Sequence, residues 1–321
     1  MMPIMDARSG DSVERQNSDA GDAASESVVI VILTWNQRDK TLRCLQSLSE
    51  AGCRLDRVVI WDNGSDDQTE QSVRARYPAV LYHRHEANLG VASGRNAAAQ
   101  LAIETWRPGY LLFLDNDMRV EPGLVERLVN PFSDDPQLGQ TEAKIRMADK
   151  PDRLNAAGGS EIRFVQGTIK PVGYGERDTG QYDTRRECLP NGGAMMVRSD
   201  VFAMLGGFAS DFDPYGPEDL DFSLRARQAG YRGLYIPEAV VYHDHRRSVE
   251  GGGFSANYTM NKTRHWLLLL RRHASPLQRL GFYLWGAPSG VLRVLRREVL
   301  AGNFAALKGL AAGLRRGSKE R

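Results

Sequence analysis

Residues 110–117 read YLLFLDND, an apolar run from Tyr110 to Leu114 that stops abruptly on Asp115, Asn116 and Asp117. A short run without polar alternation predicts a strand covered on both faces, the arrangement found in parallel sheets. Three earlier runs have the same form: VVIVILT at 28–34, RVVIWDN at 57–63 and AVLYHR at 79–84. Helical stretches such as Lys40–Glu50 and Gly94–Trp106 alternate with them. The repeating unit is therefore strand, helix, strand, and the fold class is α/β, a mostly parallel Rossmann-like sheet flanked by helices. Ligands of such sheets lie beyond the carboxyl ends of the strands. That rule directs attention to Thr34-Trp35-Asn36, Asp62-Asn63-Gly64-Ser65, Asn88-Leu89-Gly90 and Asp115-Asn116-Asp117.

Asp115 and Asp117 at a strand end form a hard-oxygen site suited to Mg²⁺ or Mn²⁺, although a solvated turn accounts for the triplet taken alone. No GxGxxG follows the first strand, which removes the main support for a dinucleotide enzyme. Asp62, ending the second strand, is free to accept hydrogen bonds from a nucleobase or ribose, or simply to make a turn.

Residues 139–198 read as mixed short strands and Gly-rich loops that end in a strand at Ala194–Val197. Ser199 is then placed to cap a short helix closing at Gly206-Gly207. Pro217-Glu218-Asp219 opens a further helix that stops at Gly230. Its acids Glu218, Asp219 and Asp221 either complement the helix dipole or, facing a cleft, take a proton from an incoming hydroxyl. YRGLYIP and VVYHDH follow as strands, and His243 and His245 share one face as candidate metal ligands.

The 321 residues suffice for about two structural units, or one large α/β domain with extensions. Residues 1–26 hold six acids against two bases and no aromatic residue, which predicts a disordered acidic tail. Residues 262–321 hold thirteen bases against two acids. Within them, NKTRHWLLLLRRH and the stretch from Val291 to Leu314 read as amphipathic helices, fit either for an anionic membrane surface or for packing on the domain. No signal peptide and no apolar run long enough for a bilayer span are evident. Cys44, Cys53 and Cys188 form neither a CxxC pair nor an even framework, which fits a reducing, cytoplasmic location.

Taken in order, VVIVILTWNQRD, DNGSDDQT, NLGVASGRN, FLDND, NGGAMMVRSDVF, GGF and PEDLDFSLRARQAGYR resemble the family 2 glycosyltransferases, especially their rhamnosyltransferase-like and galactofuranosyltransferase-like branch. The resemblance runs from about Val28 to His245. It implies a GT-A fold and inverting transfer of a sugar from a nucleotide-diphosphate donor to a hydroxyl of a glycan or glycolipid, in cell-surface polysaccharide synthesis. Thr34, Asn36, Arg38, Asp62, Asn88 and Arg95 match donor-binding positions. Asp115 and Asp117 match the DxD element, with Asp117 the direct metal ligand and His243 a further one. Asp219 matches the family's base, and Glu218 is expected to orient the acceptor. The expected division is an acidic tail (1–26), a catalytic domain (27–260) with a nucleotide-binding half (27–130) and an acceptor half (131–260), and a basic amphipathic helical extension (261–321). The implied partners are the donor, a glycan or lipid-linked acceptor and an anionic surface on the inner face of the cell membrane; no nucleic acid is expected. A sugar-phosphate nucleotidyltransferase should carry a Gly-Thr-Arg loop after its first strand, where TWNQRD stands. A non-catalytic protein binding anionic lipid or nucleic acid through the basic tail would leave the ordered acidic motifs without a purpose.

Overall fold

The computed structural model describes residues 27–244, 255–296 and 304–317. The expected acidic tail and His245 lie outside the described residues.

The chain begins with β1 (Val28–Thr34), followed by α1 (Arg38–Glu50), which buries Leu42, Cys44, Leu45 and Leu48 along one face. Next come β2 (Val58–Asp62), α2 (Thr69–Arg76), β3 (Leu81–Arg84), α3 (Val91–Trp106) and β4 (Tyr110–Asp115). The four expected runs are thus strands, and they pair in parallel in the order β3-β2-β1-β4. Successive residues of β1 serve opposite faces, as the pleat requires. Ile30 and Ile32 join one core with Leu45 and Leu48, whereas Val29 and Val31 join another with Ala98, Ala99 and Ala102 of α3. Small residues let α3 lie close to the sheet, and a Cβ on Gly94 would come within 2.6 Å of Leu33 Cδ1.

After β4 come β5 (Met118–Val120), α4 (Leu124–Val129), β6 (Leu138–Met147), β7 (Leu154–Ala156), the hairpin β8 (Ser160–Arg163) and β9 (Thr168–Pro171), β10 (Arg186–Cys188) and β11 (Ala194–Arg198). The stretch expected to hold only short strands therefore opens with a ten-residue one, β6. α5 (Ser199–Met204), α6 (Glu218–Gln228) and β12 (Arg232–His243) complete this part. The main sheet runs β10-β12-β6-β11-β4-β1-β2-β3. It turns mixed beyond β4, because β11 is antiparallel to both β4 and β6. YRGLYIP and VVYHDH belong to one strand with a register shift between Ile236 and Val240. Pro237 sits in that shift and cannot donate to a ladder. Ser199 is the first residue of α5, not its cap, and its hydroxyl has no hydrogen-bond partner among the described residues.

The C-terminal part holds α7 (Ala256–His273), α8 (Pro276–Gly281), a π-helical turn (Phe282–Gly286), α9 (Ala287–Val294) and α10 (Phe304–Gly317). Ser255 caps α7 through Tyr258 N at 3.1 Å, and Ser275 with Gln278 forms a capping box on α8. The division expected between 260 and 261 falls inside α7. That helix is seated on the preceding part: His265 is fully buried with Nδ1 2.9 Å from Tyr215 O, and His273 Nε2 lies 2.9 Å from Asp221 Oδ1. Of the stretch from Val291 to Leu314, the described residues are helical in α9 and α10. α10 lies against α7 through Gly309, Gly313 and Gly317, where any Cβ would strike Ala256, Met260 or Leu267. Among the described residues, no helix is long and apolar enough to cross a membrane.

Candidate active site

Three acids or imidazoles meet at the carboxyl edge of the sheet. Asp115 ends β4, Asp117 follows it, and β12 brings His243 opposite Met118. One ligand atom from each of Asp115, Asp117 and His243 lies within 4.8 Å of the others. Two carboxylates and an imidazole suit a small divalent cation, so the donor set fits the Mg²⁺ or Mn²⁺ expected from the sequence. His243 Nε2 is 3.2 Å from Asp117 Oδ1, and Lys40 Nζ donates to Asp117 Oδ2 at 3.0 Å. Burial opposes ionisation of Asp117, but these two partners outweigh it and hold its pKa at about 2. Burial likewise opposes charge on His243, and Asp117 reverses that effect, raising the imidazole above its ordinary value.

A second group forms at the start of α6. Asp219 Oδ2 accepts from Gly192 N at 2.7 Å and Oδ1 from Leu220 N at 2.7 Å. Its pKa is raised, chiefly by burial, with the Gly192 hydrogen bond and Arg95 acting against the shift. Glu218 is only 4% exposed, and burial followed by the neighbouring Asp219 pushes it up to about 8. Burial thus favours its protonated form.

Arg95 joins the two groups. Its guanidinium donates to Glu218 Oε1 at 2.9 Å, Asp115 Oδ1 at 2.5 Å and Gly192 O at 3.1 Å. Burial disfavours its charge, yet Asp115 and Glu218 more than compensate and raise its pKa. Gly192 must lack a side chain, because a Cβ there would strike this guanidinium.

Several residues expected to touch the donor have protein partners in this structure, and of them Asn88 is exposed. Thr34 Oγ1 bonds Thr41 Oγ1 at 2.8 Å and accepts from Asn116 Nδ2 at 3.1 Å, which ties the DND turn to β1. Asp62 is buried, with Oδ1 accepting from Ser65 N and Oγ and Oδ2 from Tyr82 at 2.5 Å. Asn88 Oδ1 accepts from Gly90 N and Asn63 Nδ2. Arg95 bonds Glu218, Asp115 and Gly192, and Glu218 bonds Arg95. Asn36 and Arg38 are more accessible: Asn36 adopts φ 50° and receives Asp66 N on Oδ1, while Arg38 fixes the loop through its N on Asp67 Oδ2.

Lys40 and Glu142 complete the site and were not foreseen. Glu142, buried in β6, accepts from Asn191 N at 3.1 Å, and burial pushes it up to about 8. It thus anchors the segment whose next residue, Gly192, holds Asp219. A lone acid inside the otherwise uncharged start of β6 was its one visible signal; Lys40 had none, since its partner lies 77 positions away.

From Asp219 and Asn191 a cavity of about 1120 Å³ extends beneath the C-terminal helices.

Comparison with known proteins follows this geometry closely. The family model described as glycosyl transferase family 2 matches residues 29–198, more than half of the chain. An N-acetylglucosaminyl-diphospho-decaprenol L-rhamnosyltransferase of Mycobacterium tuberculosis is 27% identical over 263 residues, covering 76% of this chain and 84% of the relative. A Pyrobaculum calidifontis mannosyltransferase, solved with GDP-Man and Mn²⁺, superposes with TM-score 0.55 and 15% identity over 96% of this chain and 99% of its own. GalNAc-T7, solved with UDP, GalNAc and Mn²⁺, gives TM-score 0.56 and 19% identity over 73% of this chain and 48% of its own. With a GT-A fold and a family match across most of its sheet, the chain belongs to glycosyl transferase family 2 and is a glycosyltransferase.

Proposed function

We propose that the enzyme moves a sugar from a nucleotide-diphosphate donor to a hydroxyl of a lipid-linked glycan in a single displacement that inverts the anomeric centre. The observation that carries this reading is Arg95, whose guanidinium bonds both Asp115 of the candidate cation site and the carboxyl beside Asp219. Charge release and proton removal are thereby held at opposite ends of one buried side chain.

Asp219 accepts the proton of the acceptor hydroxyl, its raised pKa making it the stronger base. As the acceptor oxygen bonds to the anomeric carbon, the bond to the diphosphate breaks and its electron pair leaves with the nucleoside diphosphate. Asp115, Asp117 and His243 would hold Mg²⁺ or Mn²⁺, which when bound neutralises charge on the leaving diphosphate. Glu218, whose protonated form burial favours, orients Arg95 and in that form adds no second negative charge beside the base. Asn36, Arg38 and Asn88 receive the donor, while the buried Thr34 and Asp62 shape its cleft from behind. The lipid-linked acceptor is supported by the decaprenol-linked substrate in the mycobacterial relative's name.

The extension supports work at the anionic inner face of a membrane. On α8 and the π-helical turn, Leu277 is 80% exposed, Leu284 72% and Trp285 69%, next to Arg279. Such an apolar ridge with nearby bases suits an interfacial helix. The deciding experiment is a screen of nucleotide sugars with Mn²⁺ or Mg²⁺, read by release of nucleoside diphosphate and by the anomeric configuration of the product. Cation-independent release or a retained configuration overturns the scheme.

A further inference from the structure

We infer that the cavity under the C-terminal helices encloses the hydrocarbon of a prenyl-diphosphate-linked acceptor, so that the lipid is bound by protein while its sugar meets Asp219. The inference rests on the glycosyltransferase reading and adds to it where the lipid goes.

The cavity is continuous with the candidate base. Its lining combines Asp219 and Asn191 with Lys262 and with the apolar Trp266, Phe282 and Leu310. Acid, cation and apolar surface are the three chemistries that a sugar hydroxyl, a diphosphate and a hydrocarbon chain would need. At about 1120 Å³ the space exceeds the roughly 300–1,000 Å³ typical of small-ligand pockets, more than a sugar alone requires. Thr259 and Trp266 are among the lining residues, and their buried Oγ1 and Nε1 have no hydrogen-bond partner among the described residues.

The helical segment from α8 to α9 has two apolar sides. Phe282, Gly286 and Val291 line the cavity, whereas Leu277, Leu284 and Trp285 are exposed. A partition with hydrocarbon-like surface on both sides is what a lipid leaving a bilayer for an enclosed site would meet, and a peptide or second copy of the chain would need neither the enclosure nor the cation. Leu310 of α10 reaches the lining because α10 lies close on α7 through its glycines.

The test uses the full-length protein and a benzophenone-bearing farnesyl diphosphate, with adducts mapped by peptide mass spectrometry. Saturable labelling of peptides holding Trp266 or Leu310, competed by undecaprenyl diphosphate but not by farnesol or inorganic diphosphate, is expected. Equal competition by inorganic diphosphate reveals a phosphate site alone, and equal competition by farnesol a nonspecific apolar hollow; either overturns the inference, as does labelling confined to Leu277–Trp285. Leu310→Trp and, separately, Val291→Phe should each lower labelling by about tenfold with an unchanged circular dichroism melt. Unchanged labelling in both folded variants removes the cavity as the site. Donor cleavage without labelling refutes the lipid site alone, whereas labelling without cleavage of any nucleotide sugar refutes the catalytic reading and the acceptor role with it.

Discussion

Arg95 Nη1 donates to Glu218 Oε1 at 2.9 Å, linking positions 123 residues apart in sequence. Both side chains are almost wholly buried, and the same guanidinium continues to Asp115. Removing the guanidinium leaves the buried oxygens of Glu218 and Gly192 without their donor, a loss of about 1–3 kcal/mol. Arg95→Met should therefore lower stability by that amount in urea unfolding, and Arg95→Lys, which cannot span both acids, should recover only part of it. A stability loss below about 1 kcal/mol in Arg95→Met would show that the pair is not structural.

Asp219→Asn retains size but cannot accept the proton. Turnover should fall by roughly 10²-fold or more, with little change in donor affinity measured by calorimetry. Collapse of donor affinity with bound donor still turning over would make Asp219 a binding residue.

Asp117→Ala should abolish transfer and the thermal stabilisation given by Mn²⁺. It should also cost some stability without metal, because Lys40 and His243 both lose a bonded carboxylate. Retention of the Mn²⁺ shift in the variant would place the cation elsewhere.

Glu218 supplies a pH signature. Its carboxyl is raised from 4.5 to about 8 in the folded chain. The folded state then binds a proton that the unfolded state has released, so stability falls as pH rises from 4.5 towards 8. Glu218→Gln removes that slope while keeping an acceptor for Arg95. Its melting temperature relative to the parent should climb between pH 5 and pH 8, as followed by calorimetry. Parallel curves would show that Glu218 does not titrate there.

Leu284→Ser combined with Trp285→Ser should release the protein from phosphatidylglycerol vesicles. Each exposed apolar side chain that enters a membrane interface contributes roughly 1–3 kcal/mol, and nearby bases about 1 kcal/mol each. Sedimentation should drop at least about tenfold, and raised salt should weaken binding of the parent. Failure of the parent to sediment at low salt rejects the membrane surface.

The four apolar runs were legible as strands because burial on both faces leaves a continuous pattern, and their ends located Asp115, Asp117 and Asp219's cleft. Periodicity carries no information on where a polar side chain turns. Thr34 and Asp62 stand at strand ends as a ligand site would require, yet Thr41, Asn116, Ser65 and Tyr82 claim their oxygens. Arg95 reads like a surface base on a helix, and only the approach of β4, α6 and the Gly192 loop makes it a buried link. Strand β12 looked like two segments because Pro237 interrupts the ladder without ending the strand.

Lys40 gives the Asp117 carboxylate a tethered counterion at 3.0 Å. A divalent ion held by Asp117 would therefore have to displace one positive charge as it brought another, instead of filling a bare negative hollow.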